Sequence, residues 1–560
     1  MHQTYTYKKF PYTPPPELQG GPVKRYPVIV VGAGPAGLAA AIDCRQSDIP
    51  VLLLDDDDTV SVGSRGLCYA RRTLEVLDRL GCGDSVVDKG VSWDVGRTFF
   101  REDEAFNFNL RPAPGFKRPG MVNLQQYYLE EYMVQRAQEA GVQMRWKNKV
   151  VSVQSQADHV RLQVETPDGV YQVEADWLIV CDGARSPIRG MLGLEIDGKI
   201  FMDRFLIADV MMKADFPAER WFWFDPPFHP NQSVLLHREA DDVWRIDFQL
   251  GWDVDPEEER KPEKVIPRIK AMLGDDREFT LEWVSVYTFQ CRRMDSFRHG
   301  RCLFAGDSAH QVSPFGARGA NSGLQDTDNL VWKLKLVMDG KAPDRLLDTY
   351  SDERTFAADE NILNSTRSTD FITPKSNVSK AFRNAVLALS QQHPFARKLV
   401  NSGRLSVPSF LTESSLNTLD TDSFAGDMVP GAPLDDAPVR SNDSDAWLID
   451  QLGSRFQGLY FCDDAAAIPA GVKDVFGELA NAVLPADILV VAKVPGKVAG
   501  ATVVVDAAGF AAERYDATNG TFYLVRPDQH VAARWRVLDL ARVRAALLKA
   551  TCNQPEETRA

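Results

Sequence analysis

The clearest chemical signal is a spaced set of glycines, Gly32-Ala33-Gly34-Pro35-Ala36-Gly37. In a strand-to-helix turn, Gly32 permits the tight bend and Gly34 lets the backbone approach a pyrophosphate. Gly37 then lets the helix pack closely on the strand. A phosphate held there, beside the small Ala36, meets unpaired N–H groups and the positive end of a helix dipole. Asp55 ends the next apolar run and offers a carboxylate to ribose hydroxyls. The alternative is a glycine turn that binds nothing, and strand, helix and acid in register argue against it.

A second set of residues suits proton transfer. His237-Arg238 closes one short run, and Arg245-Ile246-Asp247-Phe248-Gln249 forms the next. In a strand, alternation puts Arg245, Asp247 and Gln249 on one face and Ile246 and Phe248 on the other. Beside a cofactor, that polar face is a pocket wall with acid–base groups. Against water, it is an ordinary solvated face. Trp221, Trp223 and Phe224 are candidates to line the pocket, although aromatic runs are more often core. The eight cysteines form no CxxC pair or Cys/His cluster, so no metal or dithiol site is expected.

The elements that must position these residues are legible in outline. Tyr26–Val31, a helix over Gly37–Ser47 and Val51–Leu54 make a β-α-β unit of the buried parallel type. Helices are expected over Arg71–Leu80, Gln125–Ala140 and Gly323–Met338. Strands are expected within Val150–Val173, with a turn at Pro167-Asp168-Gly169, and again at Trp177–Cys181 and Arg301–Ala305. Trp221–Phe224, Val234–His237 and Trp244–Leu250 suggest a separate antiparallel sheet. Pro430-Gly431-Ala432-Pro433 marks a boundary, after which strands and helices alternate to a closing helix at Val537–Ala550.

Composition narrows the partners. A net charge of −14 argues against nucleic acid and requires local Arg or Lys for any anionic substrate. No signal-peptide pattern and no apolar run of about 18 residues appears, so a cytoplasmic chain without a membrane partner is expected.

Three motifs in order resemble the class A flavoprotein aromatic hydroxylases, the phenol and 3-(3-hydroxyphenyl)propionate hydroxylase branch in particular. They are Gly32–Gly37, Asp182-Gly183-Ala184-Arg185-Ser186-Pro187-Ile188-Arg189, and Gly306-Asp307-Ser308-Ala309-His310 followed by Pro314-Phe315-Gly316-Ala317-Arg318-Gly319-Ala320-Asn321. The resemblance covers about residues 26–370. It implies FAD, with Asp182 and Gly183 near the pyrophosphate and Asp307 accepting from a ribityl hydroxyl. Gly316, Arg318, Gly319, Ala320 and Asn321 would lie at the flavin ring. Arg65, in Ser64-Arg65-Gly66, would contact the flavin, and Gln126 (Gln125 being the alternative) would reach its phosphate or ribityl. Arg185 and Arg189 would serve the nicotinamide cofactor or the fold. Arg245 and Asp247 would serve the substrate, with His237 and the Pro314 carbonyl as further candidates for catalysis.

The resemblance also implies the reaction. NADH or NADPH reduces FAD, O₂ adds at flavin C4a, and the hydroperoxide hydroxylates a small phenolic substrate, with aromatic-compound degradation as the implied setting. A multi-ring polyketide substrate, a non-oxygenating flavin dehydrogenase or reductase, and a flavin-bound interaction protein are the rival readings. The expected architecture is α/β. An extended arm spans 1–25, a Rossmann-like FAD-binding domain 26–200 and 290–370, and an antiparallel substrate sheet 201–289. A helical linker follows over 371–429. Residues 430–560, especially Gly520–Arg534, resemble a thioredoxin-like domain without CxxC that packs or supports a homodimer.

Overall fold

A computed structural model describes residues 4–110, 114–274, 277–401 and 405–554. The first sheet grows around Lys24–Val31, flanked by Val51–Leu54 and Gly169–Val180 in parallel. Gln143–Arg145 and Cys302–Phe304 extend it, again in parallel. Val28 to Val31 and Val51 to Leu54 are all buried, as strands covered on both faces must be. The helix Pro35–Gln46 supplies the first crossover and packs on the helices Gly319–Met338 and Gln126–Glu139.

Gly169–Val180 corrects one expectation. It is a single strand, not two: residues 169–175 pair antiparallel with Val160–Thr166, and 173–180 pair parallel with Lys24–Val31. Its first half alternates because one face is wet, and its second half is continuously apolar because both faces are covered. That change of pattern reads as a break. The helix at the third motif also begins earlier than expected, at Gly319 rather than Gly323.

The second sheet has eight strands in the order His310–Gln311, Thr280–Arg293, Asp197–Met211, Val243–Leu250, Ser233–Arg238, Arg220–Phe224, Val95–Phe100, Asp103–Asn109. Arg220–Phe224 runs parallel to Val95–Phe100, so the sheet is mixed. It also recruits two strands from a stretch where none was expected. Ile246 and Phe248 pack with Leu206, Leu236 and Val265 on the outer face. Trp221 and Trp223 lie against that outer cluster too, which removes them from the candidate pocket. Phe222 and Phe224 face the other way, into a cluster with Phe205, Phe289 and Phe315.

The third sheet belongs to the C-terminal unit. Phe456–Asp464, the helix Ala470–Ala480 and Ala486–Val494 form a parallel strand–helix–strand unit. The hairpin Phe522–Val525/Val531–Trp535 adds antiparallel to Phe456–Asp464, and Leu540–Ala550 closes the unit. A buried charge cluster joins it to the first unit: Arg526 grips Glu353 at 2.6 and 2.9 Å, and Lys333 reaches the same carboxylate at 2.7 Å.

The N-terminal arm lies on its own chain. Thr4 bonds Glu282, Tyr5 stacks on Tyr127, the Tyr7 hydroxyl accepts from the Gly63 N–H at 2.9 Å, and Phe10 stacks on Trp146. Among the described residues, no helix is long and apolar enough to cross a membrane.

Candidate functional site

The first two sheets enclose a cavity of about 820 Å³, the size of a ligand site. Its floor is the glycine turn. Gly32 has φ +104°, and a Cβ there would stand 2.3 Å from the Cys181 carbonyl oxygen. Gly34 has nothing within 4 Å of that position, so the backbone is open to the cavity. Ala36 lines the cavity beside it. Gly37 lies behind the wall; a Cβ there would come 1.8 Å from the Gly32 oxygen, so this glycine acts by packing.

Two carboxylates border the turn. Asp55 accepts from the N–H groups of Ala33 at 2.5 Å and Asp57 at 2.8 Å, and burial pushes its pKa up to about 6. Asp182 accepts from the Ile188 N–H at 3.1 Å through one oxygen. Its other oxygen is buried, has no protein partner, and belongs to a residue of the cavity wall. Gly183 follows in the left-handed region at φ +80°. Arg185 is exposed. Arg189 is buried and donates to the Ser308 carbonyl at 2.8 Å, so its guanidinium ties two turns together.

Farther in, Asp307 is exposed to the cavity, and its carboxylate has no protein hydrogen-bond partner among the described residues. Arg65 also lines the cavity, close enough to Asp307 to interact electrostatically. Its loop is clasped from several sides. Glu130 holds the N–H of Ser61, Gln126 accepts from the Gly66 N–H at 2.8 Å, and Arg245 donates to the Ser64 carbonyl. Gln126 therefore lines the cavity while its polar atoms hold the loop. Gln125 points elsewhere, to the Ala240 carbonyl.

The third motif forms a strained turn. Gly316 (φ +102°) and Ala317 (φ +55°) are both left-handed, and the non-glycine Ala317 carries the strain. The Pro314 carbonyl already accepts from the Ala317 N–H at 2.9 Å, so it closes this turn. Arg318 donates to Asn361 at 2.7 Å and is buried. No side chain caps the helix Gly319–Met338, which leaves the N–H groups of Gly319 and Ala320 for an occupant of the cavity. Asn321 corrects an expectation. Its amide bonds Ala70 N–H and the Cys68 carbonyl, each at 2.8 Å, so it staples a neighbouring strand and does not line the cavity.

The open end of the cavity is walled by the second sheet. Register puts His237 opposite Arg245, and Asp247 between Leu235 and Ile207. Arg245 and Asp247 thus look into the cavity, not into solvent, while Gln249 accepts from the Ser233 N–H and hydroxyl and does not line it. Arg245, however, is committed: it grips Asp209 through two bonds of 2.8 and 2.7 Å and stands 3.3 Å from Glu239. Asp247 is buried, and its Oδ1 has no protein partner. Burial pushes its pKa up to about 7, against the pull of Arg245. Burial, with the charges of Arg220 and Arg245, holds His237 well below the usual imidazole range, so the ring is neutral. Sequence reasoning did not find Arg220, Tyr287, Phe289, Gln290 and Phe315, which complete this wall. They come from three separate segments: strand pairing places Arg220 and residues 287–290, and Phe315 lies in the loop of the third motif.

The geometry fits FAD. A glycine turn open at Gly34, an unpartnered Asp182 oxygen, a bare Asp307 carboxylate and an uncapped helix start all face one cavity. The comparisons agree. Residues 25–365 match the FAD binding domain family. The chain is 32% identical to 6-methylpretetramide 4-monooxygenase of Streptomyces rimosus, over 66% of this chain and 64% of that protein. It is 28% identical to 3-(3-hydroxy-phenyl)propionate/3-hydroxycinnamic acid hydroxylase of Mycolicibacterium smegmatis, over 67% and 66%. The match thus spans about two thirds of each relative. The crystal structure of the flavin-dependent monooxygenase PieE with FAD and substrate has the same fold, with a TM-score of 0.79 at 24% identity over 96% of this chain and 100% of that one. The resemblance drawn from three motifs thus holds, and the chain belongs to the FAD binding domain family.

Proposed function

We propose that the protein is a single-component FAD-dependent monooxygenase that hydroxylates a phenolic ring, with NADH or NADPH as electron donor. Asp247 carries the reading: a buried carboxyl, with one oxygen unpartnered, stands in the same cavity as the glycine turn. A phenol reacts faster as its proton leaves, and an acid titrating near neutrality suits that task. Bound FAD supplies hydride acceptance and oxygen activation.

The chain's own residues do the rest. Gly32, Gly34 and Ala36, with Asp55, Asp182 and Gly183, hold the adenosine and pyrophosphate end. Asp307 accepts from the ribityl chain. The uncapped N–H groups of Gly319 and Ala320 would stabilise negative charge on a flavin held at this helix start. Asp247 takes the substrate proton, and neutral His237 lies one strand away as a relay. Phe289 and Phe315 exclude water from the ring. Arg245 fixes the wall and the Arg65 loop. The C-terminal unit, whose strand–helix–strand and hairpin order supports the thioredoxin-like reading, braces the helix that starts at the flavin.

A multi-ring, polyketide-type substrate is the second reading. It is favoured by 30–32% identity to monooxygenases named for tetracycline intermediates, against 28% to the phenylpropionate hydroxylases. One assay tests both. Small phenols and multi-ring phenols are each supplied with NAD(P)H, and the product is weighed. A gain of one oxygen on either set supports the hydroxylase and names its class. Peroxide alone, or no turnover, on both sets removes the proposal.

A further inference from the structure

The helix Asn377–Ser390 packs behind the cavity's aromatic side and leaves its own outer side bare. Its inner face is buried: Leu387 shares a cluster with Phe289 and Phe315, which line the cavity. Val378, Ala381, Phe382, Ala385, Ala388 and Leu389 recur at helical spacing on the opposite side, and all are exposed. Val378 is 80% exposed and Phe382 59%. The next short helix, Pro394–Arg397, adds Phe395 at 62%. A helix apolar on both sides belongs inside something, and a patch of this kind marks an interaction surface.

Charge identifies what covers it. Residues 371–400 contain five Lys or Arg and no Asp or Glu, in a chain whose net charge is −14; Lys375 pairs with Asp203 and Arg383 is buried, which leaves Lys380, Arg397 and Lys398 for the outer face. Arg397 and Lys398 are exposed beside Phe395, and Lys380 is half-exposed beside Phe382. An isologous dimer through this face would bring like cations together. An anionic surface instead meets both the cations and the bulky apolar side chains, the combination of an interfacial helix. We propose that this face docks the enzyme on an anionic membrane surface, with the aromatic side of the cavity toward the bilayer.

The test uses the full-length, FAD-loaded protein and vesicles of phosphatidylcholine alone or mixed equally with phosphatidylglycerol. The protein is expected to sediment with the mixed vesicles only and to be released by salt. Lys398→Glu and Arg397→Glu should each weaken partition by about fivefold or more. Phe395→Glu should abolish it while flavin content, melting temperature and NAD(P)H oxidation stay unchanged. Phe382→Ser is a milder variant with the same expected loss. No partition into anionic vesicles, or equal partition of wild type and Phe395→Glu, overturns the proposal. So does a dimer dissolved by Phe395→Glu, which assigns the face to a second copy. Binding to soluble polyglutamate without binding to vesicles assigns it to an acidic protein and overturns it equally.

Discussion

Asp247 and Arg245 sit two residues apart on one strand and face the same cavity, yet their environments assign them different work. Asp247 keeps a free oxygen, whereas every strong contact of Arg245 is to protein. Asp247→Asn should therefore retain flavin and lose turnover by about 10²–10⁴-fold, measured as substrate-stimulated NAD(P)H oxidation. With its pKa pushed up to about 7, the unprotonated base appears as pH rises, so kcat/KM should climb through about pH 7 and then level. The stability sign runs the other way. A carboxyl whose folded pKa is raised favours the fold when protonated, and that contribution is lost as pH rises from about 4 through 7. Asp247→Asn should thus melt a few degrees higher than wild type at pH 8. Arg245→Ala behaves differently, because it strands Asp209 and Glu239 in the interior. A loss of about 3–5 kcal/mol in denaturant unfolding is expected, and unchanged stability would return Arg245 to the substrate. Asp307→Ala should lower flavin occupancy on purification with little change in melting of the apoprotein.

At the scale of elements, legibility tracked local signals. The helices Arg71–Leu80 and Gln126–Glu139 emerge within a residue of their expected ends, because their apolar spacing is local. The hairpin Val95–Phe100/Asp103–Asn109 was not legible. Its turn carries Arg101 at φ +59°, where a glycine or asparagine would have announced it. The glycine turn was legible from its spacing between an apolar run and a helical one, although the Cys181 carbonyl that crowds Gly32 lies far along the chain. The cavity's far wall was not: Tyr287, Arg220 and Asp247 become neighbours through strand pairing, and register is a property of the folded sheet. Asn321 was legible as a polar residue at a helix start, but its partners lie some 250 positions away. Replacing it with Ala leaves the buried Ala70 N–H unpaired. A loss of about 1–3 kcal/mol is expected, with flavin affinity of the folded fraction retained.

Across the whole molecule, the C-terminal unit grips the flavin-side helix at its middle. Arg526, Glu353, Lys333 and Asp528 are almost wholly buried, and Arg526 beside Glu353 holds that carboxyl well below the usual range. A lowered carboxylate stabilises the fold above its unfolded pKa near 4.5, and the benefit is lost only as pH falls through the lower folded value. The junction should therefore survive mild acid. Arg526→Met leaves Glu353 and Asp528 with less countercharge. Calorimetry is expected to show a lower melting temperature and, where the units uncouple, two transitions in place of one.

The first sheet sets Lys24–Val31 two strands from Cys302–Phe304, with some 270 residues of chain between them. The consequence is one of timing. A ribosome needs on the order of tens of seconds to make that interval. Throughout it, the glycine turn exists without Asp307 or the helix start that complete its cradle. The cofactor cannot be secured as the N-terminal half emerges; loading waits for the third motif, and the brace on its helix waits for Arg526. Once Val180 has been made, a further 120 or so residues must follow before Cys302–Phe304 can cover the sheet edge at Leu178–Val180. Production of the intact flavoprotein is then limited by how well that edge is protected during synthesis, and slower growth at lower temperature is the lever that favours it.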